Sequence, residues 1–230
     1  MKTLGLIGGT TWVSTVDYYK YINRLVGEKL GGLNSARILL YSLNFDELKT
    51  LFEREDWRRV AEILTAIAKN LETAGAGGIV LCSNTIHIAA DEIARQIDIP
   101  LISVTDATAR EINKHGLKRV ALLGTRFTMD KDFYPKKLGE YEIETIIPND
   151  AEREFINSSI FEELGKNIFT GETKRRYLEI IENLRTRGAE GVIFGCTEIP
   201  MLLNAEDCPV RSFDTTLIHA RAAVEFALSD

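Results

Sequence analysis

A chain of 230 residues with 45% hydrophobic content suits one large or two small domains, at about 100 to 150 residues each. Its net charge of -6, with 28 Lys and Arg scattered among 34 Asp and Glu, forms no basic stripe to neutralise a phosphate backbone, so nucleic acid is excluded as an expected partner. No run reaches the ~18 apolar residues of a membrane span. The opening MKTLGLIGG lacks a signal peptide's apolar core and cleavage site. The three cysteines form no disulfide framework. The expectation is a cytoplasmic protein with reduced thiols and no membrane partner.

Short β-rich runs alternate with longer segments of helical period. Strands predicted over 4–7, 36–43 and 78–82 precede helices over 15–30, 56–74 and 85–96, an alternation that argues for βαβ units and a parallel sheet. In the 56–74 helix Trp57, Val60, Leu64, Ile67 and Leu71 recur at threes and fours, so one stripe faces a sheet while Arg58, Arg59, Glu62 and Lys69 stay in water. Strands over 119–124, 143–147, 191–195 and 210–213 continue the pattern.

The chain also repeats itself. IAKNLETAGAGGIVLCSNTI (67–86) slides without a gap onto IIENLRTRGAEGVIFGCTEI (180–199), matching Asn70 to Asn183, Leu71 to Leu184, Gly75 to Gly188 and Gly78 to Gly191. GLIGG (5–9) resembles ALLGT (121–125), and IPLISVTD (99–106) resembles CPVRSFD (208–214). The fold class read from this is α/β: two similar Rossmann-like parallel-sheet lobes related by a pseudo-twofold axis, with the active site in the cleft between them. The first lobe is expected over 1–98, with the C-terminal helix 214–230 packing back on it, and the second over 99–213. Ligands of parallel sheets bind at the carboxyl ends of strands. In the repeat register Ser83 falls opposite Cys196 and Cys82 opposite Gly195. Cys82, one residue earlier, is expected to point elsewhere, and Cys82 and Cys208 are read as structural.

Other motifs carry less. Gly5-x-x-Gly8-Gly9 is neither a dinucleotide fingerprint nor a P-loop. His87, His115 and His219 have no metal-ligand spacing, so neither a bound nucleotide nor a metal is expected.

GLIGGTTWVSTVDYYKYIN, LCSNTIH, VALLGTRFTMDKDFY, GVIFGCTEIPML and FDTTLIHARAA occur in the order found in the cofactor-independent aspartate/glutamate racemases. The chain resembles that family, and most of all the broad branch whose first lobe lacks the usual cysteine. The family carries C-N-T in one lobe and G-C-T in the other, with thiols facing opposite sides of the substrate α-carbon. Here Ser83-Asn84-Thr85 stands at the first motif and Cys196-Thr197-Glu198 at the second. The resemblance implies a PLP-independent amino-acid racemase for aspartate, glutamate or a related amino acid, with Cys196 as base for the L isomer and Ser83 as opposite-face donor. Backbone N–H groups after Cys82 and Gly195, with Asn84, Thr85, Thr125 and Thr197, are the candidate donors to the developing charge. A thiol of reference pKa ~8.5 is expected to be activated at a helix N-terminus.

Three further positions join the substrate-binding set. Thr10 stands where close relatives tend to have methionine, Phe52 lies in a segment where a polar contact is expected, and Lys166 is near the family's basic position. A homodimer is the candidate assembly. The rival readings are a one-thiol decarboxylase of the same superfamily and a non-catalytic protein that binds a small acid.

Overall fold

The computed structural model describes residues 1–229. Its strands form two four-stranded sheets of the same topology. In the first, β1 (Leu4–Gly8), β2 (Ile38–Ser42), β3 (Gly78–Leu81) and β4 (Leu101–Ile102) lie in the order β2-β1-β3-β4. In the second, β5 (Arg119–Gly124), β6 (Glu144–Ile146), β7 (Gly191–Gly195) and β8 (Arg211–Asp214) repeat it as β6-β5-β7-β8. All neighbouring strands are parallel, and helices supply the crossovers that parallel strands require.

In the first half, α1 (Trp12–Leu30) follows β1, and α2 (Phe45–Glu53) and α3 (Trp57–Thr73) follow β2. A 3₁₀ turn (Thr85–Ala89) and α4 (Ala90–Ala94) follow β3, and α5 (Val104–Lys114) follows β4. The segment 85–96, expected as one helix, is thus two short pieces, and α2 was not anticipated at all. In the second half, α6 (Arg126–Asp130) and α7 (Phe133–Gly139) follow β5, while α8 (Asp150–Glu162) and α9 (Gly171–Thr186) follow β6. Then come α10 (Ile199–Leu202) after β7 and α11 (Thr215–Leu228) after β8.

The chain divides into one compact unit of Met1–Val104 plus the segment from Thr216 onward, and a second of Thr105–Thr215. The junctions expected at 98/99 and 213/214 move accordingly. Leu101 and Ile102 pair with Ile79 and Val80, which ties β4 to the first sheet. At the other junction the Thr215 hydroxyl donates to the Phe194 carbonyl, holding Thr215 to the second unit.

In the first unit, Leu4 and Leu6 of β1 and Val80 of β3 are buried with Tyr18, Ile22 and Val26 of α1 and with Ala220, Ala223, Val224 and Ala227 of α11. Alternation along the strands sends these side chains to one face. The small residues of α11 let that helix lie close. The second unit buries Ala121, Leu123, Val192 and Phe194 with Ile180, Ile181 and Leu184 of α9.

The repeat extends to hydrogen bonds. Helix α3 ends with Gly75 N–H donating to Glu72 O and Ala76 N–H to Leu71 O; α9 ends with Gly188 N–H donating to Arg185 O and Ala189 N–H to Leu184 O. This is the Schellman arrangement, in which a left-handed residue satisfies the helix's last carbonyls. Gly75 and Gly188 adopt φ of 97° and 98°, so each glycine of the matched GA pair is required by its backbone.

Candidate active site

In each sheet the chain leaves its first strand for one neighbour and returns to the other side, so the order reverses between β1 and β3 and again between β5 and β7. The carboxyl ends of strands at such a reversal are where open parallel sheets bind ligands. Register places the relevant loops. Ile7 pairs with Leu81, so the loops carrying Thr10 and Ser83 leave adjacent strands at one level. Gly124 pairs with Gly195, so Thr125 and Cys196 leave adjacent strands of the other unit. Ser83 and Cys196 therefore occupy equivalent places in the two sheets.

The Ser83 loop is held by its backbone. Cys82 N–H donates to Ile7 O at 2.9 Å, the Ser14 hydroxyl donates to Cys82 O at 3.2 Å, and the Ser83 carbonyl is 2.7 Å from His87 Nδ1. Ser83 is half-buried, while Asn84 and Thr85 are buried. Cys82 points into the core of its unit, where burial pushes its thiol far up.

The loop after β1 is equally constrained. Gly9, at φ 87°, passes so close to Leu43 that an added Cβ would lie 2.1 Å from the Leu43 carbonyl oxygen. Its N–H donates to Thr15 Oγ1, and Thr11 caps α1 by accepting from Ser14 N–H. Thr10, between them, is 6% exposed and its hydroxyl has no hydrogen-bond partner. A buried hydroxyl left so costs about 1–3 kcal/mol. It is therefore the kind of group a ligand's oxygen would satisfy.

In the second unit, the Cys196 thiol donates to Glu198 Oε2 at 2.9 Å, and the Thr197 hydroxyl donates to the same oxygen at 2.7 Å. Glu198 is 4% exposed. Burial first, and the adjacent Glu198 charge second, raise the thiol well above its ordinary range. The expected activation at a helix N-terminus is thus reversed. Helix α10 is a single turn, too short to oppose burial and a neighbouring carboxylate. The thiol is instead hydrogen-bonded to a buried carboxylate. The sequence signal was an acid two residues after the cysteine, in a bend that returns its side chain to the sulfur.

The remaining expected positions have other partners. Thr125 caps α6, its hydroxyl accepting from Thr128 N–H. Phe52 is buried between Phe45 and Trp57, with ring centroids 5.9 and 5.2 Å away, so packing of α2 on α3 explains it. Lys166 lies in the 3₁₀ turn Leu164–Lys166 with its ammonium 2.7 Å from Glu162 on the surface.

Two four-stranded parallel sheets repeat one strand order, with Ser83 and Cys196 at equivalent strand ends. The chain matches the model of the Asp/Glu/hydantoin racemase family over residues 7–223 and belongs to that family; it is an enzyme of the isomerase class, a racemase. It is 46% identical to a Yersinia pestis protein solved as a candidate Asp/Glu racemase, over the full length of both chains, with a TM-score of 0.94. It is 40% identical, again over both full lengths, to an aspartate racemase homologue from Pyrococcus horikoshii OT3, with a TM-score of 0.88. Among curated proteins it is 25% identical to the broad specificity amino-acid racemase RacX of Bacillus subtilis, over 70% of each chain. No helix among the described residues is long and apolar enough to cross a membrane.

Proposed function

We propose that the protein racemises aspartate, glutamate or a related free amino acid without pyridoxal phosphate, using Cys196 and Ser83 on opposite faces of the α-carbon. The observation that carries this is the equivalence of the two residues at the ends of β3 and β7. Inverting a stereocentre requires one group to remove the α-proton and another to protonate the other face. For the L isomer, the Cys196 proton passes to the Glu198 carboxylate it already contacts. The resulting thiolate takes the α-proton, leaving its electron pair on the α-carbon and extending into the carboxylate. Ser83 then delivers its hydroxyl proton to the opposite face and regains one from water, and the hydroxide so formed takes the proton held on Glu198, returning every group to its starting state. Thr10 Oγ1, buried and unpartnered, donates to the substrate carboxylate as its charge grows. Lys166 would have to leave Glu162 to meet an acidic side chain, so related amino acids remain within the proposal.

The test is turnover of L-aspartate, L-glutamate and the other L-amino acids in deuterium oxide, read by chiral separation and mass spectrometry. Deuterated L substrate reports exchange on the Cys196 face; deuterated D product reports inversion. Ser83→Ala is expected to lose most inversion and keep exchange, whereas Cys196→Ala loses both. Inversion by Ser83→Ala at the parent rate, or exchange by Cys196→Ala, would overturn these assignments.

A further inference from the structure

His87 is 4% exposed in the 3₁₀ turn after Ser83 and is bonded at both ring nitrogens. Its Nδ1 is 2.7 Å from the Ser83 carbonyl oxygen, which can only accept. Its Nε2 is 3.1 Å from the backbone N–H of Val104, which can only donate. A neutral imidazole has one donor and one acceptor, so the two partners fix a single tautomer, with the proton on Nδ1. Val104 opens α5, whose first N–H groups have no partner within the helix, and His87 supplies one.

The same ring sits 5.4 Å from that of His219, which is itself bonded to the Tyr18 hydroxyl at 2.8 Å and the Ile102 carbonyl at 2.7 Å. The imidazole of His87 is thus a rigid strut between the peptide bearing Ser83 and the start of α5. We infer that His87 is a positioning residue for Ser83, holding its carbonyl so that the hydroxyl is presented at the distance proton return requires. This rests on the proposed role of Ser83 and extends it. Misplacing a reacting group by about 1 Å can cost 10²-fold, and the Ser83 loop has no other side chain bonded to that carbonyl among the bonds the structure gives it.

Two isosteric changes separate the two ends of the strut. In His87→Asn the side-chain amide N–H can still reach the Ser83 carbonyl but not Val104; in His87→Gln an amide oxygen can reach Val104 but the Ser83 bond is lost. The readout is the ratio of inversion to same-face exchange in deuterium oxide, which a general loss of folded protein does not move. His87→Gln should lower this ratio at least about fivefold, and His87→Asn should keep it within about twofold of the parent. An unchanged ratio in folded His87→Gln, or a collapse in His87→Asn, overturns the positioning role while leaving the racemase reading intact. Should the parent itself neither exchange nor invert any amino acid, the reading beneath it fails instead. Independently of any variant, ¹⁵N spectra of the parent imidazole must show the proton on Nδ1; protonation at Nε2 alone would sink the proposal.

Discussion

Cys82 and Ser83 share a peptide bond and have opposite environments: the thiol is 1% exposed inside the core between α1 and α11, and the serine is half-buried at the end of β3. A thiol in an apolar core, with its ionisation opposed by burial, is a packing group. Cys82→Ala should therefore cost on the order of 1 kcal/mol of stability through the void it leaves. Turnover of folded protein should be unchanged. Urea unfolding beside steady-state kinetics checks both, and loss of turnover without loss of stability would place Cys82 in the chemistry.

Ser83→Cys should raise turnover from the D isomer by about tenfold or more, because a thiol ionises far more readily than an alcohol. The gain from the L isomer should be smaller, since Cys196 already serves that face. Initial rates from each enantiomer decide the matter. Equal rates in parent and variant would remove Ser83 from the α-carbon.

Glu198→Gln should move two quantities in opposite directions. Without the carboxylate the Cys196 proton has no acceptor, and α-proton exchange should fall about 10²-fold. The negative charge that raises the thiol pKa is gone too, so the thiol should ionise at lower pH and alkylate faster near pH 8. If alkylation slows along with exchange, Glu198 supports the fold there and does not take the proton.

Acid should weaken the protein through its buried histidines. Burial is the largest cause holding His87 at about 3 and His219 at about 4, against about 6.5 when unfolded. Both folded values are depressed, so the unfolded chain binds more protons below neutrality. The stabilisation is fully present above about pH 6.5 and is lost as pH falls toward 4 and 3, with a slope up to about 1.4 kcal/mol per unit for each ring. Urea midpoints from pH 7.5 to 4.5 should decline through this window. A flat profile between pH 5 and 7 would mean the rings are not buried and neutral.

Much of this was legible because it is periodic or duplicated. The βα alternation follows from hydrophobic spacing, and the repeat places Ser83 opposite Cys196 without any coordinates. Less visible was what depends on tertiary partners. Helix α2 buries only Leu48 and Phe52, too few to stand out within a charged stretch. Strand β4 is two residues long, so its tertiary partners and not its own pattern assign it to the first unit. The reversal of the Cys196 environment depended on Glu198 folding back onto the sulfur. Phe52 and Lys166 show the converse, since each has an aromatic or ionic partner in the same or the adjacent helical segment.

The return of the chain to its first unit has a consequence for biosynthesis. Leu4, Leu6 and Val80 are covered partly by α11, which follows the whole of Thr105–Thr215 in chain order. On the ribosome the inserted unit has every one of its strands before α11 has been made. The earlier sheet must wait with one apolar face incompletely covered, so the later-made unit is free to fold first, and nascent-chain chaperones have their longest opportunity at the face α11 finally closes.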